Sequence, residues 1–407
     1  MIKAMKSDSD ENMMDLNEQI SHISLQTQNT RTTSHCKFQQ GDVISHLGYK
    51  IIEQLGSRGR FATVWKATRG DSSTVALKVY RTGVANETYY KNEVKIYHRL
   101  LQCSGSDSYF KYNIMKYFGT FAHISFGKDL SPHIHPVIEL ELLHSHVGLL
   151  INDCVEKYNE GLSITVVKTI AKQIFTGLNY LHNCGIIHTD IKPDNLLLTK
   201  PLSEINTPDD IQIVIGDLGS STVSDDIFSE TVGSVHYLAP ELVLDLKYTT
   251  AIDIWAAFVL CYELFTGDLL FDVYHECGIN YSKNSSSDVE YSTDESETTD
   301  DQMSNSSGDE EEDEQITNYN LLLLMEKVLG PAPKDLTKYG RTYFNSRGKL
   351  KNNPVVEHIS LSNLLHNNYN LDENDCKSME EFLLFGLKYY PEDRPTAGQV
   401  LQHPWLN

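Results

Sequence analysis

A short polar stretch, residues 188–195, brings together three side chains whose types suit one kind of chemistry. It reads His-Thr-Asp-Ile-Lys-Pro-Asp-Asn, with a carboxylate at Asp190, an ammonium at Lys192 and a carboxamide at Asn195. Transfer of a phosphoryl group from ATP needs a base that orients the attacking hydroxyl, a cation at the moving charge and an uncharged oxygen ligand for magnesium. The stretch therefore predicts phosphoryl transfer if the parts that hold a nucleotide occur around it.

A glycine-containing turn between two predicted strands could hold the phosphates. Gly56 and Gly59 have no Cβ, so backbone N–H groups in such a turn can approach a phosphate closely. Lys78 lies on the following strand, fourteen residues after Val64, and could reach the α/β-phosphates. An ordinary hairpin is the alternative, but the Val-Ala-Leu-Lys run that ends at Lys78 favours the phosphate site.

Two carboxylates are candidates for contact with that lysine and with the metal. Residues 85–101 predict a helix, and Glu93 on it follows Lys78 by fifteen positions. A half-buried lysine needs a carboxylate to stay charged, and we expect Glu93 to supply it. A solvated Glu93 paired with Lys95 is the alternative. Asp217 follows a short predicted strand and precedes a glycine, a position suited to a magnesium ligand, although most such residues are turn carboxylates.

The elements that must position these residues change in type along the chain. Strands are predicted mainly in the first third, at 49–55, around Val64, and at 74–79, 112–121, 136–143, 196–198 and 211–215. Helices are predicted from apolar periodicity at 85–101, 162–183, 252–265, 319–329, 379–388 and 396–402. A loop with His133 and His135 should join the fourth and fifth of these strands. Residues 139–143 should connect the two parts and offer backbone groups to adenine.

Two further charged residues are predicted to act inside the folded core. Glu241, in an Ala-Pro-Glu sequence, needs a cation if it is buried, and Arg394 is the candidate. Asp253 opens an apolar helix and should accept hydrogen bonds from residues 188–195, with capping of its own helix as the alternative.

Composition excludes several classes of partner. The 407-residue chain has a formal net charge of −22, which disfavours nucleic acid and anionic membranes and favours a basic partner. No signal peptide is readable, and the longest apolar runs are too short to span a membrane. Seven scattered cysteines, never in CxxC spacing, predict free thiols in a reducing compartment and no zinc site. We expect a cytoplasmic monomer, with entry into the nucleus left open.

Two segments lack the composition of a folded core. Residues 1–40 are predicted to be a disordered tail, and residues 281–315 a disordered acidic insertion. The insertion holds thirteen Asp or Glu residues against one lysine, with a dozen Ser or Thr. It could be a solvated linker, or a pseudosubstrate or collector of basic partners that is controlled by phosphorylation of its own serines. Residues 41–143 and 144–407 would then form two lobes.

The order of these parts resembles that of eukaryotic protein kinases from about residue 41 to 407, and within them the SR-protein kinases, which phosphorylate serines in Arg-Ser repeats of splicing factors. The stretches that carry the resemblance are Phe-Ala-Thr-Val-Trp (61–65), Tyr-Leu-His (180–182), 186–195, Asp-Leu-Gly (217–219), Asp-Ile-Trp (253–255), Thr-Gly-Asp-Leu-Leu-Phe (266–271) and His-Pro-Trp-Leu-Asn (403–407). The resemblance implies an α+β bilobal fold, with a small β-rich lobe over a larger helical lobe and ATP with Mg²⁺ between them.

The resemblance also implies a role for each matching residue. Asp190 would be the base, Lys192 would contact the γ-phosphate, and Asn195 and Asp217 would bind the metal. Contacts with the nucleotide or its phosphates would come from Leu55, Gly56, Gly59, Val64, Ala76, Lys78, Glu93, Glu141 and Leu143. The expected activity is that of a serine/threonine kinase on Arg/Ser-rich proteins, with another substrate class or a catalytically weak scaffold as alternatives.

Departures from the family pattern modify these expectations. Thr189 stands where many kinases have arginine, so no guanidinium is ready for a phosphate on the activation loop. We therefore predict activity without phosphorylation of Ser229 or Thr231. The glycine turn has one additional residue, and residues 233–238 lack two arginines that the SR-protein kinases carry there. Asp268 is the acidic position that matches the family's site for basic substrates.

Overall fold

An antiparallel sheet forms the amino-terminal part of the chain. The computed structural model describes residues 36, 38–44, 48–56, 59, 61–104, 108–126, 131–224, 232–274, 307–352, 357–369 and 371–407. The strands run in the order β1-β2-β3-β4-β6-β5. They are β1 (Val43–Ile44), β2 (Tyr49–Leu55), β3 (Ala62–Thr68), β4 (Thr74–Tyr80), β5 (Tyr117–Phe126) and β6 (Pro132–Glu141). A single long helix, α1 (Val84–Ser104), packs against this sheet.

The two faces of the sheet carry different kinds of side chain. Successive side chains of a strand point to opposite faces, so Leu77 and Val79 of β4 share one face. They join Trp65 and Val137 in a small apolar core on that side. The other face of the same strand carries Lys78 toward α1. The alternation therefore anchors the sheet on one side and presents a cation on the other.

The β5–β6 pair corrects two boundaries. The strand predicted over 112–121 begins at Tyr117, because Tyr109–Tyr112 form a 3₁₀ turn instead. Strand β6 begins four residues before the predicted start at 136. His133 and His135 therefore lie in a strand and not in a loop. His135 is fully buried. Its two ring nitrogens keep hydrogen-bond partners there, the Ser125 hydroxyl and the Tyr80 carbonyl.

Helices build the carboxy-terminal part. They are α2 (Val147–Tyr158), α3 (Ile164–Asn183), α4 (Pro240–Val243), α5 (Ala251–Thr266), α6 (Ser307–Leu329), α7 (Lys334–Thr337), α8 (Leu361–Tyr369), α9 (Glu373–Gly386) and α10 (Ala397–Val400). Two small sheets, β8 (Leu196–Leu198) with β9 (Ile213–Ile215) and β7 (Ile186–Ile187) with β10 (Thr222–Val223), lie at the junction with the first part. The α+β bilobal fold is thereby confirmed.

Helix α5 is the centre of this larger lobe. Its residues are apolar on all sides, and nearly all are buried, as expected for a helix inside a large core. Helices α3 and α9 pack against it. Nearby, the guanidinium of Arg394 donates two hydrogen bonds of 2.7 Å to the buried Glu241 carboxylate. The predicted ion pair is confirmed.

Both predicted disordered segments extend too far. Helix α6 begins at Ser307, inside the insertion predicted over 281–315. Its acidic run favours this start, because glutamate forms helices well and negative charge stabilises a helix amino terminus. In the predicted tail 1–40, Cys36 is buried, and the Phe38 ring packs edge-on against Trp65 at 5.4 Å. Residues 1–35 and 281–306 lie outside the described part. No helix within that part is long and apolar enough to cross a membrane.

Candidate active site

One buried carboxylate, that of Asp253, holds the backbone of the polar stretch 188–195. Strand β7 delivers the chain to His188, whose backbone N–H donates to Asp253 Oδ2 at 2.8 Å. The N–H of Thr189 donates to the other oxygen, Oδ1, also at 2.8 Å. His182 donates a third hydrogen bond to the same carboxylate at 2.9 Å. Asp253 therefore supports this loop, as the sequence predicted.

Asp190 lies at the centre of a hydrogen-bonded group. Its Oδ1 accepts from the Ser234 hydroxyl at 2.7 Å, and its Oδ2 lies 2.9 Å from Lys192 Nζ. Lys192 also donates to the oxygen of Ser234 at 3.0 Å. Asn195 donates its amide N–H to Asp190 O at 2.7 Å and to Oδ2 at 3.1 Å. The three predicted side chains are thus brought together, and their relative positions are fixed.

Lys78 connects the sheet to two other elements. Its Nζ lies 2.8 Å from Glu93 Oε2 on α1 and 2.7 Å from Asp217 Oδ1, which follows β9. Glu93 is fully buried, so the predicted pairing is confirmed and the solvated alternative is wrong. Asn92, beside Glu93, donates to the carbonyl of Gly219 at 3.0 Å. Helix α1 is therefore held close to the loop that carries Asp217.

Lys78 and Asp217 each stabilise the charged form of the other. Burial disfavours the ammonium, but the carboxylates of Asp217 and Glu93 outweigh it and raise the pKa of Lys78 well above its ordinary value. The same ammonium lowers the pKa of Asp217 to about 2. Both groups are therefore charged at neutral pH. A cation and a carboxylate thus lie in direct contact, and the segment that carries Asp217 is joined to residues 188–195 because the N–H of Gly216 donates to the Asn195 carbonyl at 2.9 Å.

Strand register places the predicted apolar nucleotide contacts on one face of the sheet. Val64 is paired with Leu55 on one side and with Lys78 on the other. Directly paired residues of neighbouring strands point to the same face. Ala76, two residues before Lys78, shares that face and is paired with Leu140 of β6. An apolar surface suited to a flat heterocycle thus lies beside the charged pair.

The glycine turn has the backbone geometry that its sequence requires. Gly56 has φ +67°, a left-handed conformation that side chains rarely adopt. A Cβ on Gly59 would lie 2.8 Å from the carbonyl oxygen of Ala62. Arg81 donates to Gly59 O at 2.8 Å and ties the turn to the end of β4. Residues 57, 58 and 60, including the additional residue of the turn, lie outside the described part.

The segment after β6 holds the last two predicted contacts. The Glu141 N–H donates to Lys116 O at 3.0 Å, and its carboxylate accepts from the Lys116 N–H at 2.6 Å. Burial raises the pKa of Glu141. Because the Glu141 N–H is already bonded, an N–H that faces adenine has to come from beyond it. Leu143, half-buried two residues later, is the predicted candidate.

The donor set fits a magnesium–nucleotide complex. Magnesium prefers hard oxygen ligands and is commonly held by one or two carboxylates together with phosphate oxygens. Asp217 offers a carboxylate, half exposed, and Asn195 offers an amide oxygen, because its nitrogen is the atom bonded to Asp190. Lys78 offers the cation for phosphate. These residues could therefore hold ATP with Mg²⁺.

Comparison with known proteins decides the family. The family described as "Protein kinase domain" matches residues 49–406. This chain belongs to the protein kinase family. The kinase also resembles the crystal structure of a kinase domain, with a TM-score of 0.64 and 22% identity over 92% of this chain and 99% of that one, which supports the fold.

Named relatives point to one group of serine/threonine kinases. The kinase is 28% identical to "Serine/threonine-protein kinase SRPK" of Physarum polycephalum, over 88% of this chain and 85% of that protein. It is 31% identical to "Serine/threonine-protein kinase prp4" of Schizosaccharomyces pombe over 60% of this chain, and it spans 48% of that protein. A "Dual specificity protein kinase YAK1 homolog" of Arabidopsis thaliana is 34% identical over 54% of the chain, which spans 21% of that protein. The chain is thus a protein serine/threonine kinase, similar to the proteins named SRPK and prp4.

The structure adds site residues that sequence reasoning did not single out. Ser234 bridges Asp190 and Lys192, and its position before a Val-His-Tyr turn could have been noticed from the Ala-Pro-Glu sequence downstream. Leu197 lies next to Gly216, the residue before Asp217: a Cβ on Gly216 would come within 3.1 Å of the Leu197 Cδ1. Only the folded arrangement shows this contact.

Proposed function

We propose that this kinase phosphorylates serines in basic, Arg/Ser-rich proteins. Its serine/threonine kinase activity follows from its family, and the substrate class is the new element. The observation that carries it is a group of acidic side chains in and beside the catalytic loop: Asp194, within the loop, is about half exposed, and the charges of Asp194 and Asp268 both act on Glu263. The similarity to a protein named SRPK supports the same substrate class.

The chemistry follows from the positions of the side chains. Asp190 would accept the proton of the substrate serine hydroxyl as that oxygen attacks phosphorus. Ser234 and Lys192 hold the Asp190 carboxylate in one orientation, and Lys192 can stabilise negative charge on the transferred group. When bound, Mg²⁺ held by Asn195 and Asp217 would neutralise phosphate charge. Lys78 would orient the nucleotide through its phosphates.

The acidic group explains how a basic peptide could be selected. Burial, with smaller effects of Asp194 and Asp268, raises the pKa of Glu263 to about 7, while a hydrogen bond of 2.5 Å from the Tyr237 hydroxyl opposes that shift. A guanidinium beside the exposed Asp194 and Asp268 would relieve the repulsion among these carboxylates. A neutral peptide would not.

A peptide comparison tests the substrate class. The purified kinase is given ATP, Mg²⁺ and peptides of equal length that contain Arg-Ser repeats, serine among neutral residues, or tyrosine among arginines. We expect the Arg-Ser peptide to be phosphorylated at least about tenfold faster than the neutral one, since each desolvated charge pair is worth about that factor. Equal rates on both serine peptides would overturn the proposal. Transfer to tyrosine would instead favour the dual specificity named for the Arabidopsis relative.

The remaining expectations about partners and location stand as proposals. The six described cysteines are free, which supports action in a reducing compartment, and we propose the cytoplasm, with nuclear entry left open. We also propose that the kinase acts as a monomer and without direct contact with nucleic acid, in keeping with its net charge of −22.

A further inference from the structure

Tyr80, the last residue of β4, reaches the same carboxylate oxygen as Lys78. Residues 78 and 80 lie on one face of the strand, since side chains alternate. The Tyr80 hydroxyl donates a hydrogen bond to Glu93 Oε2, the oxygen that also accepts from Lys78 at 2.8 Å. Tyr80 is buried, and its ring packs edge-on against Tyr90 of α1 with centroids 5.6 Å apart. The phenol therefore connects β4 to α1 at the residue that anchors the phosphate-binding lysine.

Glu93 has few other ways to be stabilised. It is fully buried, and among the described residues its second oxygen, Oε1, has no hydrogen-bond partner. A buried carboxylate held by a single cation is costly. That cation is also shared, because Lys78 lies 2.7 Å from Asp217 as well. Tyr80 supplies Glu93 with a donor that Asp217 does not share.

The protonation state of the phenol supports this arrangement. Burial and the neighbouring Glu93 carboxylate raise the pKa of Tyr80 well above its ordinary value. The hydroxyl therefore keeps its proton and remains a donor at neutral pH. The backbone of Tyr80 is fixed too, because His135 Nδ1 donates to its carbonyl oxygen at 3.1 Å.

We propose that Tyr80 is a positioning residue for ATP phosphates, acting through Glu93 and not on the substrate. In the nucleotide-bound kinase, Asp217 would serve the metal, so Glu93 would be the carboxylate left to Lys78. The Tyr80 hydroxyl then keeps Glu93 aimed at Lys78, and Lys78 aimed at the phosphates. Its loss weakens the part of ATP binding that depends on phosphate and leaves the apolar contacts of the base intact.

The chain offers a matched control in Tyr97. It lies one helical turn after Glu93, is fully buried, and stacks on Tyr117 with ring centroids 4.8 Å apart. Among the described residues its hydroxyl has no hydrogen-bond partner. Tyr97→Phe therefore removes a phenol oxygen from the same core without removing a hydrogen bond to Glu93.

The experiment compares the wild-type kinase with Tyr80→Phe and Tyr97→Phe. For each, kcat and KM for ATP are measured, together with the Kd of Mg·ATP and of adenosine by calorimetry. We expect Tyr80→Phe to lower kcat/KM for ATP and to weaken Mg·ATP binding about tenfold, the factor associated with a hydrogen bond to a charged group. Adenosine binding and all values for Tyr97→Phe should change by less than about twofold.

A double variant separates a positioning role from a general packing role. In a Glu93→Gln background, Tyr80→Phe should cause little further loss, because the residue acts through Glu93. An undiminished loss in that background would overturn the proposal, as would unchanged ATP kinetics in Tyr80→Phe. Equal weakening of adenosine and Mg·ATP would also contradict it, since that pattern indicates a damaged lobe. Thermal unfolding of each variant identifies such damage directly.

Discussion

The loop that carries Asp190 and the ion pair of Lys78 with Glu93 are fixed in different ways. The loop is held through its backbone: the N–H groups of His188 and Thr189 donate to the buried Asp253 carboxylate in the larger lobe. Lys78 is held through side chains that come from two other elements, Glu93 and Asp217. A backbone anchored to its own core cannot leave without local unfolding. A side-chain pair between elements can separate when either element moves.

Backbone conformation shows the same contrast. Thr189 has φ +71°, a left-handed conformation that costs a β-branched residue energy and persists where surrounding contacts enforce it. Its hydroxyl donates to Ser220 O at 3.0 Å, which ties the catalytic loop to the segment after Asp217. The loop that carries Asp190 is thus fixed by the larger lobe, whereas the position of Lys78 depends on how α1 is placed.

The largest expected effect concerns the core beneath the loop. Arg394→Ala leaves the Glu241 carboxylate buried without its partner, and we expect a loss of about 3–5 kcal/mol in the free energy of unfolding. Chemical denaturation measures it. Lys377→Ala, which removes an exposed pair with Glu373, is the control and should change stability little. A small loss in Arg394→Ala would mean that the larger lobe is not anchored there.

A second variant tests the backbone anchor itself. Asp253→Asn can still accept from one N–H but presents a donor to the other, so one buried backbone N–H loses its acceptor. We expect kcat to fall about tenfold while KM for ATP changes by less than about twofold, because Lys78 is held elsewhere. Steady-state kinetics with varied ATP separate the two. Asp153→Asn, at an exposed pair with Lys157, is the control. A rise in KM without a fall in kcat would break the contrast between the two regions.

A smaller effect concerns the pH dependence of stability. Burial raises the pKa of Glu263 from 4.5 to about 7 in the folded kinase. Between these values the folded state keeps a proton that the unfolded state has released, so stability from this group falls as pH rises. The free energy of unfolding of Glu263→Gln, relative to wild type, should therefore increase from pH 4.5 to 7 and then level off. A constant difference across this range would show that Glu263 is not shielded from solvent.

The smallest effect is expected at the activation loop. Ser229 and Thr231 lie outside the described residues, but their predicted partner position, Thr189, has no cationic group. Replacing both by alanine should change kcat by less than about twofold, because α1 is already held by Glu93 and by the hydrogen bonds of Asn92. Radiolabelled phosphate transfer measures it. Loss of most activity would show that α1 requires a phosphate to stay in place.

Local chemistry explains which parts of the site could be predicted from the sequence. Asp190, Lys192 and Asn195 lie within a few residues of each other, so their spacing alone predicts that they are close together in the folded protein. Lys78 and Glu93 could be matched because a buried lysine needs a carboxylate. The pairing of Glu241 with Arg394 followed from the same reasoning about charge in a core.

The parts that could not be predicted depend on long-range pairing. Ser234 meets Asp190 across forty-four residues, and no local pattern shows which hydroxyl arrives there. In the sequence, Tyr80 is indistinguishable from any other aromatic residue of a strand. Only the position of α1 brings the Glu93 carboxylate to its hydroxyl. The polar composition of the acidic start of α6 led to the wrong prediction of a disordered segment there. The same acidic residues favour a helix amino terminus.

The most direct test of the account is phosphoryl transfer by wild type and Asp190→Asn under identical conditions. Asparagine keeps the shape of the side chain and cannot accept the hydroxyl proton. Transfer of labelled γ-phosphate to a serine peptide should fall about a thousandfold, within the range expected for loss of a general base. The Kd of Mg·ATP should remain near that of wild type, since Lys78 and Asp217 are unchanged. Equal incorporation by both proteins would contradict the assignment of Asp190 and, with it, the active site described for this kinase.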